Sequence, residues 1–254
     1  MEQYKFKPEH SEIIVKAIIE GYREYIEHRI DRRERMEISS AFAWTKGNFI
    51  ESKIAEYFKE YDGQAFTHKK SKAGLTWDYL QFTHKDSKVL FLIKNAAYFN
   101  EKCFSRAKLP AGMERKDALR TYLHDLSKIN ADLEFPTDSS YHELHQSEEV
   151  VQLSLPIPLH QVTRVKEEIK QLSSMYNEFH ILTYAMDDAY QISKVKHYLP
   201  NPHDNIAYLI EDMSDLISGA ELDDREREVL APDSDGMLDP AAYDIEILEE
   251  ERQG

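Results

Sequence analysis

The chain has 254 residues, enough for one large domain or two small ones with a sizeable core. Its 41 % apolar and 31 % charged residues are the balance of a soluble globular protein. The single cysteine, Cys103, excludes an internal disulfide framework, and no run approaches the roughly 20 apolar residues of a membrane span, so no membrane partner is expected.

The opening MEQYKFKPEH lacks the apolar centre of a signal peptide. With one cysteine and no span, this predicts a cytoplasmic location. The net charge of −15 is unevenly placed. Residues 219–254 hold thirteen acids and three bases, a net of −10, whereas residues 64–128 hold thirteen Lys/Arg and six Asp/Glu, a net of +7. A basic centre with an acidic tail is more informative than the total.

In chain order, Ser11–Glu27 has helical spacing through Ile14, Ile18, Tyr22 and Tyr25. The basic cluster Arg29–Arg35 reads as a solvated helix end or as an arm that contacts phosphate. A second helix is predicted over Asn48–Tyr61, with Ile50, Ile54, Tyr57 and Phe58 on its apolar face and Glu51 on the flank. Gln64–Lys72 is a candidate strand.

The stretch Gly74–Asn95 reads as a hairpin. Leu75–Phe82 is rich in aromatics, HKDS carries turn chemistry, and Lys88–Lys94 is an apolar run fit for a strand buried on both faces. A loop with an odd number of residues would set Asp78 opposite Lys94.

Beyond it, Ala96–Gly112 is an irregular basic stretch, and Glu114–Leu133 returns to helical spacing. Residues 134–148 read as a polar loop. Strands are predicted at Val150–Leu155, Glu178–Ala185 and Tyr190–Tyr198, with a helix at Gln161–Tyr176. A last helix is predicted from near Pro202, its stripe formed by Ile206, Leu209, Ile210 and Met213. From Gly219 onward, high charge and few aromatics predict disorder.

A helix with a glutamate, a strand with an aspartate and an apolar strand ending in lysine resemble the restriction-endonuclease-like PD-(D/E)XK superfamily over roughly residues 45–100. Carried over by position, Glu51 is the helix acid, Asp78 the first strand acid and Lys94 the lysine of the second strand. The resemblance implies a metal-dependent nuclease, with Glu51 and Asp78 holding Mg²⁺. The second strand acid of the pattern falls two residues before the lysine, where this chain has Leu92, which offers no oxygen. Three readings stay open: Asp78 and Lys94 as a structural ion pair or strand ends in water, a nuclease-like fold without an intact site, and an active nuclease. The block EFHILTYAMDD…HYLPNPHDNIAYLIEDM is similar to sequences of bacterial proteins, which implies a prokaryotic or phage origin.

Other chemistry has less behind it. His142 and His145 lack the H-E-x-x-H spacing of zinc peptidases, and His124 and His160 meet only if the fold brings them together. Cys103 reads as a nucleophile or as a small packed side chain. There is no G-x-G-x-x-G, P-loop or serine-elbow motif. Within residues 64–128, Lys69, Lys70, Lys72, Lys102, Arg106 and Lys108 are the candidate contacts to DNA or RNA.

These elements predict an α+β fold, a central antiparallel sheet containing the hairpin and flanked by helices. Residues 1–134 form a helix-and-hairpin lobe and residues 135–218 a second lobe or part of the first, followed by the acidic tail at 219–254. The function expected is that of a nuclease-like, nucleic-acid-associated protein without an intact metal site. The alternative is a regulatory or accessory subunit that meets a protein partner through its tail, and the tail could also mask the basic centre.

Overall fold

The computed structural model describes residues 1–60, 63–73, 77–106, 121–136, 171–172 and 174–231. The apolar run of the hairpin becomes strand β3 (Val89–Asn95), in which all seven residues are buried. It lies inside a six-stranded sheet of order β1-β2-β3-β4-β5-β6. The other strands are β1 (Phe66–Ala73), β2 (Trp77–His84), β4 (Glu178–Met186), β5 (Ile192–Pro200) and β6 (Ala207–Asp212).

Neighbouring strands are antiparallel except β3 and β4, which run parallel. The fold is therefore α+β with a mixed sheet. A parallel pair needs a long crossover, here residues 96–177. The predicted strands at 64–72, within 74–95, at 178–185 and at 190–198 join this one sheet.

Helices α1 (Pro8–Arg35) and α2 (Lys46–Glu60) cover one face of the sheet. Pro8 sits at the start of α1, where its missing N–H removes no helical bond. The helices cross at Gly21, where a β-carbon would lie 2.8 Å from the Ile50 Cα. Phe58, Phe66, Phe82 and Phe91 pack between helices and sheet.

The opposite face packs Leu90, Leu92, Phe179 and Ile181 against Phe99, Phe104 and helix α3 (Thr121–Ser127). Asn130, fully buried, ties that side to the sheet. Its Nδ2 donates to the Phe179 and Pro200 carbonyls at 2.8 Å each, and its Oδ1 accepts from the Phe179 N–H at 2.7 Å.

Two expected elements are corrected. The helix predicted from Pro202 is a tight connection followed by β6, with only a short 3₁₀ turn at Ser214–Leu216. Asn201 and Asp204 accept from the backbone N–H groups of His203 and Ile206, and Asn205 adopts φ 61°. This is turn chemistry that ends one strand and starts the next.

The disorder expected from Gly219 does not hold for residues 219–231. A capping box between Asp223 and Glu226 starts helix α4 (Asp224–Leu230), and Leu222 and Val229 enter the core. Charged residues of α1, within and before the basic cluster, hold it. Arg23 and Arg33 pair with Glu226 and Glu228 at 3.0 and 2.9 Å, Arg29 donates to the Val229 carbonyl, and Glu34 pairs with Arg225. Residues 232–254 lie outside the described residues, as do the strand predicted at 150–155 and most of the helix predicted at 161–176.

Candidate functional site: a lysine groove on the second face of the sheet

The loop between β2 and β3 is Lys85–Lys88, and the ladder pairs Phe82 with Phe91, Thr83 with Leu90 and His84 with Val89. Carried back along the strands, this register sets Tyr79, not Asp78, opposite Lys94. Side chains alternate, so Asp78 shares the helix-covered face with Leu80 and Phe82, while Lys94 shares the other face with Leu90 and Leu92.

The three residues of the nuclease pattern are thus not brought together. Glu51 Oε2 accepts from the Leu80 N–H at 2.8 Å, which joins α2 to β2. Asp78 pairs with Lys70 of β1. Lys94, 8 % exposed, lies across the sheet with its Nζ 5.3 Å from the Tyr79 ring and 5.1 Å from the Tyr122 ring. Leu92, at the place of the missing acid, is packed in the core. Among the described residues no group of three or more His, Cys, Asp or Glu gathers to hold a metal, so the expected Mg²⁺ has no such set there.

The same alternation divides the candidate nucleic-acid contacts. Lys69 is exposed and pairs with Gln81 of β2, on the Tyr79 side, whereas Lys70 turns to Asp78 on the helix side. Lys102 and Arg106 are exposed beyond β3. Lys108 and the side chain of Lys72 lie outside the described residues.

Two lysines from a distant part of the sequence join this side. The pairing of β4 with β5 shifts between Ala185 and Met186, so that Ile192 and Val195 both reach the helix-covered core. Lys194 and Lys196 then fall on the other face. With Lys102, Thr183, Phe99 and Tyr198 they line a groove of about 420 Å³. The Lys-Val-Lys alternation was the available signal, but β5 lies outside the basic window 64–128.

The acids near the groove are engaged. The Tyr198 hydroxyl donates to Glu101 Oε2 at 2.9 Å, and burial followed by that carboxylate raises its pKa. Asp212, across the β5–β6 ladder from Lys196, accepts from the Ser214 N–H at 3.0 Å. Phe99 and Tyr198 are buried, so the groove offers charge and not an aromatic platform.

Cys103 is no activated nucleophile. Its Sγ accepts from Asn205 Nδ2 at 3.0 Å, and burial raises its pKa away from the thiolate. His124 is half-buried, which lowers its pKa, and His142, His145 and His160 lie outside the described residues. No helix among the described residues is long and apolar enough to cross a membrane.

In comparison with known proteins, no family model matches the chain, and no curated protein or solved structure matches it. The PD-(D/E)XK resemblance therefore has only its sequence positions behind it, and those positions lie on two sides of the sheet.

Proposed function

We propose that this is a nucleic-acid-associated protein without nuclease chemistry, which contacts phosphates through the lysine groove. The observation that carries the reading is that Lys102, Lys194 and Lys196, from two separate parts of the sequence, line one groove. Lysine ammonium groups neutralise phosphates with little regard to sequence, and a local basic surface can do so on a chain whose net charge is −15. A cytoplasmic setting fits the single cysteine.

Fluorescence anisotropy with labelled single-stranded DNA, RNA and duplex DNA tests this at about 50 mM salt. The double variant K194E/K196E should bind on the order of tenfold or more weakly and show a shallower dependence on salt. Adding Mg²⁺ should produce no cleavage, and Glu51→Gln, which keeps an oxygen for the Leu80 N–H, should leave binding unchanged. Equal binding by wild type and the double variant, or binding by neither, removes this reading and favours the accessory-subunit alternative. Cleavage lost in Asp78→Ala would establish the enzyme instead.

A further inference from the structure

Four histidines from four elements meet beneath the first residues of the chain. His10 lies in the first turn of α1, His84 ends β2, His180 is in β4 and His197 in β5. All four are buried, His180 and His197 completely. They form two pairs, with His84 Nε2 3.1 Å from His10 Nδ1 and His197 Nε2 2.8 Å from His180 Nδ1.

Phe6 is wedged between the pairs. Its ring stacks on His197 with centroids 4.6 Å apart and lies 6.0 Å from His180 and 5.6 Å from His84. Tyr4 meets His180 edge-on. The strap Met1–Lys7 thus closes the cluster with two aromatic rings. The Tyr4 hydroxyl makes a long bond to the Glu134 carbonyl at 3.4 Å, and Lys5 pairs with Glu2 inside the strap at 2.7 Å.

We propose that the strap is a clamp released by protons: acidification opens residues 1–7 from the histidine cluster before the body of the fold unfolds. Two facing ring nitrogens share one N–H, so a pair can charge one ring only through its outer nitrogen, and the second ring only by setting N–H against N–H. Nor does the surface reach the inner pair to hydrate a new charge, since His180 and His197 are 0 % exposed. Among the described residues, His197 Nδ1 and His180 Nε2 are buried without hydrogen-bond partners. Glu178 Oε2 is 2.9 Å from His180 Nε2, but too poorly aligned to bond it. An imidazolium stacked on Phe6 regains less than the hydration it lost.

The groups facing the cluster can be taken element by element. From β2 come His84 and Ser87 beyond its end, whose Oγ is 2.5 Å from His84 Nδ1. From α1 comes His10, from β3 the uncharged Phe91 opposite His180, and from β4 Glu178. From β6 comes Glu211, the ladder partner of His197, with a buried Oε2 that has no hydrogen-bond partner. Burial raises the pKa of Glu178, which weakens it as a counter-charge for His180 as the medium acidifies. Glu178, beside His180, and Glu211, across the ladder from His197, are the carboxylates that oppose release.

The direction follows from linkage. With the strap closed, burial and then the neighbouring His84 push His180 down to about 3, and burial and then His180 hold His197 well below its usual 6.5. With the strap open and the rings hydrated, both return toward 6.5. The open state therefore binds more protons from about pH 6.5 down to about 3. The closed state is favoured above that window and loses ground as pH falls through it.

Amide hydrogen exchange on the full chain, corrected for the intrinsic effect of pH, reads the opening directly. Between pH 7.5 and 5.0 the opening equilibrium of residues 2–10 should rise by up to about thirtyfold for each histidine that takes up a proton. The interior of α1 should keep its protection. H180Q/H197Q should flatten the response of the strap, and Glu211→Gln should steepen it. If the double variant does not fold, Phe6→Ala serves, with its strap open at both pH values. A strap whose protection is unchanged, which opens only together with α1, or which responds equally in the histidine variant overturns the proposal.

Discussion

The two faces of the sheet are built to different rules. On the helix side, rings and aliphatic chains from α1, α2, α4 and the strap close over β1–β5, and the charged residues there are paired at the margin: Lys53 with Glu24 and Glu56, and Lys70 with Asp78. On the other side the core formed by the described residues is smaller, a buried asparagine stitches two strand ends, and lysines line a groove. Close packing makes the first face intolerant of lost volume. The second depends on individual polar bonds and leaves cations to meet an anion. One strand, β3, serves both, with Phe91 and Ile93 on the helix side and Leu90, Leu92 and Lys94 on the other.

The strongest way to break this comparison is Phe91→Ala. The ring is fully buried and lies within 5.4–6.2 Å of the Phe6, Phe58, Phe66 and Phe82 rings. Urea denaturation should show a loss of about 3–5 kcal/mol. A loss near zero would mean that β3 is not the centre of the fold.

A smaller loss is expected from Asn130→Ala, on the order of 2–3 kcal/mol, because the Phe179 N–H and two carbonyls lose their buried partner. The same titration measures it, and an unchanged midpoint would show that the second face does not hang on this residue. The smallest effect belongs to Lys94→Met, within about 1 kcal/mol, since methionine fills the site between Tyr79 and Tyr122 without a charge to desolvate. A loss as large as that of Phe91→Ala would give the ammonium a structural part equal to the core.

Much of the first face was legible. The apolar periodicity of residues 11–27 and 48–61, and the unbroken run before Lys94, mark α1, α2 and β3 because a buried surface repeats at 3.6 or two residues or not at all. The segment after Pro202 was misread. Ile206, Ile210 and Met213 recur at helical spacing, yet Asn201, Asp204 and Asn205 form a turn, and the strand then pairs with β5. The tail was misread for a related reason. Acidic composition predicts disorder for a chain in isolation, but Arg23, Arg29 and Arg33 of α1 provide partners, and Leu222 and Val229 provide burial.

The candidate site divides in the same way. Sequence by itself determined which side chains exist, where the apolar faces run, and that Leu92 leaves the nuclease pattern one oxygen ligand short. Only the tertiary structure decided who meets whom. A one-residue change of register puts Asp78 and Lys94 on opposite faces, because side chains in a strand alternate. The pairing of β4 with β5 puts Lys194 and Lys196 on the face of Tyr198 to join Lys102, and a parallel crossover brings His180 and His197 beneath Phe6. Periodicity is a property of one segment alone, whereas register is set by pairing with the neighbouring strand, and the crossover joins β3 and β4 through residues 89 apart in sequence.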